Sequence, residues 1–163
     1  MSKDSKDKDP FLIRNLVYGI EDSLISTTGV IVGVSLSGLT RRDILVTGII
    51  LVLVEALSMS FGAFLSEDSF MTTANIEHTP RTVATYAGIM FISYFLAGLI
   101  PLLPFVISKS PSTAWPLSIV LAMVSLFVLV AKVQGNPKKA LAYTTVGTII
   151  MCISIGAGRS LKT

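Results

Sequence analysis

The sequence predicts an all-α integral membrane protein with five transmembrane helices, and three observations carry that prediction. Of its 163 residues 52% are apolar and only 14% charged, where a water-soluble domain carries about a quarter charged residues. The mean hydropathy of the chain is +0.74. The apolar residues also fall into five long blocks nearly free of charge, which makes the bilayer their natural solvent.

The blocks are 17–38, 44–65, 83–107, 115–133 and 140–158. A helix of about 20 residues, rising ~1.5 Å per residue, matches the ~30 Å hydrocarbon core. Each block is long enough to cross, and satisfying the backbone in lipid then demands helix. Continuous apolarity without alternation argues against a β-barrel. Residues 1–16 form a polar N-terminal tail. Its start alternates Lys3, Asp4, Lys6, Asp7, Lys8 and Asp9, is expected to be disordered, and lacks the features of a signal peptide.

The connections are short. Residues 39–43 form a tight turn, Ser110-Pro111 ends the third block, and Gly135-Asn136-Pro137 separates the fourth from the fifth. Only the loop 66–82 is long and polar, and it has no room for a second domain. Pro101 and Pro104 should kink or break the third span. Residues 159–163 form a C-terminal tail. One cysteine excludes a disulfide framework and a Cys-cluster metal site. A net charge of +3 diluted over tails and loops gives no nucleic-acid footprint. Five spans put the termini on opposite sides. Lys3, Lys6, Lys8, Arg14, Arg81, Lys132, Lys138 and Lys139 share the N-terminal side, against Arg41, Arg42, Lys109, Arg159 and Lys162 on the other. The positive-inside rule therefore places the N-terminus in the cytoplasm.

Three acids lie in the first two blocks, Glu21, Asp22 and Glu55, and these blocks contain no Lys or Arg. An acid at the bilayer centre costs roughly 2.5–3.5 kcal/mol. Unpaired carboxylates at depth hold a proton, bind a cation, or alternate between the two. At helical period Asn15, Asp22, Ser26, Gly29, Gly33 and Ser37 share one face of the first span. Ser26, Gly29 and Gly33 form a small-residue stripe suited to close helix approach, either between neighbouring spans or across a homodimer. Glu21 lies about 100° round from Asp22 and faces a different neighbour.

In the second span Glu55, Met59 and Gly62 follow at i, i+4 and i+7. Carboxylate and thioether together make a mixed hard and soft donor set, which suits Fe²⁺ better than Ca²⁺ or Mg²⁺. Glu67, Asp68, Glu77 and His78 in the second loop are candidate metal-capture ligands, or simply a solvated polar loop. No nucleophile–base pair, phosphate-binding glycine loop or HExxH-type helix is present, so no enzyme is expected.

Three runs resemble the vacuolar iron transporter family. Tyr18-Gly19-Ile20-Glu21-Asp22-Ser23-Leu24-Ile25-Ser26-Thr27-Thr28, with Gly33 beyond, resembles its first-span signature. Glu55-Ala56-Leu57-Ser58-Met59-Ser60-Phe61-Gly62-Ala63-Phe64-Leu65-Ser66 resembles its second-span Ser-Met element, and Gly98-Leu99-Ile100-Pro101-Leu102-Leu103-Pro104-Phe105 its Gly-x-x-Pro-x-x-Pro element. Glu21 stands where the family usually has a neutral polar residue, and Ser23 replaces the usual Gly. The short second loop is similar to that of short prokaryotic-type members, which lack the cytosolic metal-binding domain.

The resemblance implies a homodimer that exports Fe²⁺, often also Mn²⁺, from the cytosol in exchange for H⁺, with no permanently bound cofactor. The pathway would lie at the dimer interface, between the first spans of two protomers. Asp22 would be the pathway carboxylate, Met59 the thioether ligand, and Asn15 a polar group on the same face. The membrane would be the cell membrane in a prokaryote or a vacuolar-type membrane in a eukaryote. Two other readings stay open: a small multidrug-type proton/organic-cation exporter, and a non-transporting metal-binding membrane scaffold.

Overall fold

The computed structural model describes residues 9–160. Residues 1–8, on which the expectation of a disordered tail falls, and residues 161–163 lie outside the described residues. All regular structure among the described residues is helical.

The first helix, α1 (Pro10–Leu36), starts seven residues before the first apolar block. Asp9 caps it by accepting from the Phe11 amide at 2.9 Å, and Pro10 occupies a first-turn position where no N–H is needed. Residues 10–16, expected in the polar tail, are therefore helical. The second helix, α2 (Arg41–Thr73), is opened by Thr40, whose hydroxyl accepts from the Asp43 amide at 3.3 Å and donates to the Asp43 carboxylate at 2.6 Å. Its 33 residues reach about 50 Å, well beyond the ~30 Å hydrocarbon core. Here the sequence reading needs correcting. Residues 66–73 were expected to be loop, but the drop in hydropathy after Leu65 carries no Gly or Pro, so the helix continues through Glu67 and Asp68. The connection shrinks to residues 74–79.

The third segment begins with α3 (Pro80–Leu99), capped by Thr79. A 3₁₀ turn, Ile100–Leu102, and a short helix α4 (Leu103–Ile107) complete it. The break sits at Pro101 and Pro104, as the missing N–H groups dictate. The Arg41 guanidinium donates to the carbonyls of Phe105 (2.6 Å) and Val106 (2.5 Å) at the end of α4. Helix α5 (Pro111–Gln134) stops at Gly135, whose φ of 60° is the left-handed cap that glycine tolerates. Asn136 then accepts from the amides of Lys138 and Lys139 to start α6 (Pro137–Ser160).

Four segments among the described residues are long and apolar enough to cross a bilayer: Pro10–Leu36, Arg41–Thr73, Pro80–Ile107 and Pro111–Val133. Helix α6, over the fifth block, has 24 residues and thus the length of a crossing.

Helix α1 is the hub of the bundle. It packs against α3 and α2 on one side and against α5 and α6 on the other. Its small residues explain this position, since Gly19, Ser23, Thr27, Thr28, Gly29 and Gly33 are all buried and let neighbouring backbones come close. Gly98 of α3 faces the same seam. A methyl group there would lie 2.7 Å from the Ser23 hydroxyl and 2.7 and 2.8 Å from the two γ-carbons of Val52. Gly98→Ala is therefore expected to destabilise the protein by about 1–3 kcal/mol. Gly88→Ala, where the added carbon meets nothing within 4 Å, is the control. Melting of both variants in detergent checks this, and equal melting temperatures would refute it.

Candidate cation pathway

Three helices place polar groups on a common seam inside an otherwise apolar bundle. Along α1, residues 15, 18, 22 and 26 recur at three or four positions and so share a face. The seam of α2 runs antiparallel to it, bringing Glu55 to Ser26 and Glu67 to Asn15. Helix α3 supplies Met90 and Tyr94, four residues apart, behind both.

At the inner end Ser26, Glu55 and Tyr94 form a closed triangle. The Tyr94 hydroxyl donates to Glu55 Oε2 in a short hydrogen bond. Ser26 Oγ lies 3.1 Å from the same oxygen and 2.7 Å from the Tyr94 hydroxyl. Tyr94 is completely buried, and a buried phenol hydroxyl needs such a partner. Glu55 is thus supported by two hydroxyl groups, where the sequence showed only an unpartnered acid.

One turn from Ser26, Asp22 is partly exposed and lies within electrostatic reach of Glu55. With Tyr18, Glu21, Ile25 and Ile150 of α6 it lines an open cavity of about 260 Å³. The ion pairs among the described residues are Arg14–Glu67 and His78–Asp68, so neither Glu21 nor Asp22 is neutralised by a base. Tyr18 also borders a second cavity of about 360 Å³, where Met59 and Met90 face each other's helices and Asn15 and Glu67 close the far end. Met90 and Tyr94 were missed in the sequence. A tyrosine in the middle of an apolar block was the available signal, because its hydroxyl must find a polar partner at that depth.

Asn15 lies on the Asp22 face of α1, and its side-chain amide donates to the Phe11 carbonyl (2.9 Å) and to Glu67 Oε1 (2.8 Å). The four loop residues do not converge. Glu67 turns inward from α2, Asp68 pairs with His78 at 3.1 Å, and Glu77 is exposed. Among the described residues no group of three or more His, Cys, Asp or Glu is placed to hold a metal ion. Of the two readings of the small-residue stripe, the single chain fits packing between neighbouring spans: Gly29 and Gly33 are buried within it and Ser26 faces Glu55.

The His78 pair has its own chemistry. Its Nδ1 faces the Ile76 carbonyl at 2.8 Å and its Nε2 the Asp68 carboxylate. Both partners only accept, so satisfying both requires the doubly protonated ring. The Ile76 carbonyl first, and Asp68 second, raise the His78 pKa above its ordinary 6.5. The sign follows: the tie between loop and α2 is complete below the unfolded-state value and is lost as pH rises through the raised one. His78 is the only histidine, so its ring resonances report this directly. Asp68→Asn should bring the NMR midpoint part of the way back toward 6.5, and an unmoved midpoint would refute the contact.

The sequence matches the protein family described as VIT family over residues 13–85 and 67–159, which together take in all five helical segments and the whole polar seam. No curated protein gives a significant match. With a helical bundle built for the bilayer and a family match over most of its length, the chain belongs to the vacuolar iron transporter family, whose activity is the movement of metal ions across membranes.

Proposed function

We propose that this protein exports Fe²⁺, with Mn²⁺ as a second substrate, from the cytosol in exchange for protons, acting as a homodimer of five-span protomers. The observation that carries the reading is the pair Asp22 and Glu55, within reach of each other and without a paired base among the described residues, at the mid-length of α1 and α2. A carboxylate at that depth costs roughly 2.5–3.5 kcal/mol when bare. A divalent cation offsets two of them at once, and two protons do the same when the cation leaves. That equivalence is the basis of an antiport cycle. Met59 and Met90, on the next turns of α2 and α3, add soft donors that favour Fe²⁺ over Ca²⁺ or Mg²⁺.

Exposure supports the dimer. Glu21 and Asp22 open onto the outer surface of the single chain between α1 and α6. At mid-membrane that surface meets lipid or protein, and lipid does not accept carboxylates. A second copy placed across α1 would cover these acids and double the ligand set, which within one chain is only two carboxylates near each other. The orientation, with the N-terminus in the cytoplasm, rests on the distribution of Lys and Arg. Proteoliposomes loaded with metal and given an imposed pH gradient test the reading. Uptake of Fe²⁺ and Mn²⁺ into an acidic lumen, above Zn²⁺ and a lipophilic cation, is the expected result. Flux indifferent to the gradient would end the antiport reading, and preference for the lipophilic cation would replace it with a multidrug-type exporter.

A further inference from the structure

One basic side chain, Arg14, stands in the lining of the larger cavity of the seam. Arg14 of α1 is ion-paired through its guanidinium to Glu67 Oε1 of α2, and Asn15 donates to the same oxygen. Glu67 is only 2% exposed, yet its other oxygen, Oε2, has no hydrogen-bond partner and is shielded from solvent. A buried carboxylate oxygen without a partner is an unmet demand for a cation or donor. Arg14 answers it incompletely. Its own side chain is half exposed (51%), and its guanidinium carbon lies 5.3 Å from the centre of the Phe11 ring while it is paired, so it is only partly withdrawn from the surface. Glu67, Arg14, Ser66 and Met59 line the same 360 Å³ cavity, and Tyr18 lines both this cavity and the Asp22 cavity.

We propose that Glu67 is the acceptor of an outer divalent-cation site and that Arg14 is a tethered cation that occupies it when the pathway is empty. A metal ion entering the cavity displaces the guanidinium from Glu67, uncovers Oε2, and takes both carboxylate oxygens together with the Ser66 hydroxyl. Departure of the ion inward lets Arg14 fall back and close the mouth behind it. Arg14 therefore sets the affinity of the entrance by competition, and it keeps the buried acid neutralised between cycles so that the mouth does not hold metal too tightly to pass it on. The inference rests on the transport reading only in taking a divalent metal as the ligand.

Mn²⁺ is the probe, because the paramagnetic resonance signal of the free aquo ion falls as it binds. Titrations use the purified full chain in detergent, in an Asp22→Asn background so that the inner site contributes little. Arg14→Gln should tighten Mn²⁺ binding by about tenfold, the scale of one charge-assisted hydrogen bond removed from competition. Arg14→Lys should stay near the parent, and Glu67→Gln should abolish the tightening when combined with Arg14→Gln. Unchanged affinity in Arg14→Gln, or tightening that survives Glu67→Gln, would overturn the proposal. A measurement on the unaltered chain covers the case in which Arg14→Gln does not fold. Phenylglyoxal modification of Arg14, read by peptide mass, should speed up saturably with Mn²⁺, and a rate independent of Mn²⁺ would overturn it equally. Failure of proton-coupled flux with these binding results intact would sink the transport reading and leave the outer site standing.

Discussion

Asp22→Asn is expected to lower metal flux by about 10²-fold while the protein still inserts and folds. The amide keeps the shape of the side chain and removes the charge that replaces the cation's lost hydration. Leaving a charge uncompensated at mid-membrane costs roughly 2.5–3.5 kcal/mol, and each ~1.4 kcal/mol on a barrier is a factor of ten. Folding should survive because the ion pairs among the described residues lie elsewhere, and the neighbouring core of Leu24, Ala97 and Leu126 does not depend on Asp22. Flux in proteoliposomes, normalised to protein recovered in the bilayer, is the measurement. Normal flux would move the site away from this acid. Glu21→Gln is the companion variant. Glu21 lines the same cavity but sits one residue off the seam shared by Tyr18, Asp22 and Ser26, so it should lose much less.

How much of this was legible in the sequence depends on which physical signal each feature carries. Hydropathy and proline placement are local, and they located the five helical segments and the break at Pro101 and Pro104. Helix ends were less legible, because hydropathy reports the membrane and not the helix. Arg14 looked like tail, and Glu67 and Asp68 looked like loop, since each is polar. Arg14 and Asn15 are instead turned onto Glu67 between α1 and α2, while Asp68 pairs with His78 of the connection. No window along the chain contains that pairing, which joins residues more than fifty positions apart. The acids at 22 and 55 were readable as a site because carboxylates are costly at depth. Tyr94 was not, because a tyrosine counts as apolar until the partner of its hydroxyl is known. The glycine stripe shows the reverse problem. Spacing identifies a face that packs closely, but only the fold decides that the neighbour of Gly29 and Gly33 belongs to the same chain.

Glu55→Gln is expected to remove proton coupling, and the reason lies in the triangle around it. Glu55 accepts from Tyr94 and faces Ser26, with Asp22 in electrostatic reach. Such an acid can exchange a proton for a share of a metal's charge without leaving either state unsupported, because the same two hydroxyl groups can donate to it or accept from it as the proton comes and goes. Glutamine keeps the length and the hydrogen-bonding capacity but never changes charge. Flux in the variant should therefore be small and no longer rise when the receiving compartment is made acidic. Tyr94→Phe separates the charge from its support. It keeps the acid and removes one hydrogen bond to it, worth about 1.5–3 kcal/mol when the partner is ionised. Its flux should fall by roughly ten- to a hundredfold on that scale, while the remaining flux still follows the gradient. Metal flux against an imposed pH gradient, measured side by side for the parent and both variants, distinguishes the two effects. A Glu55→Gln protein that kept the parent's full gradient dependence would assign coupling to Asp22 or Glu21, whereas loss of gradient dependence in Tyr94→Phe would mean that the phenol itself carries the proton.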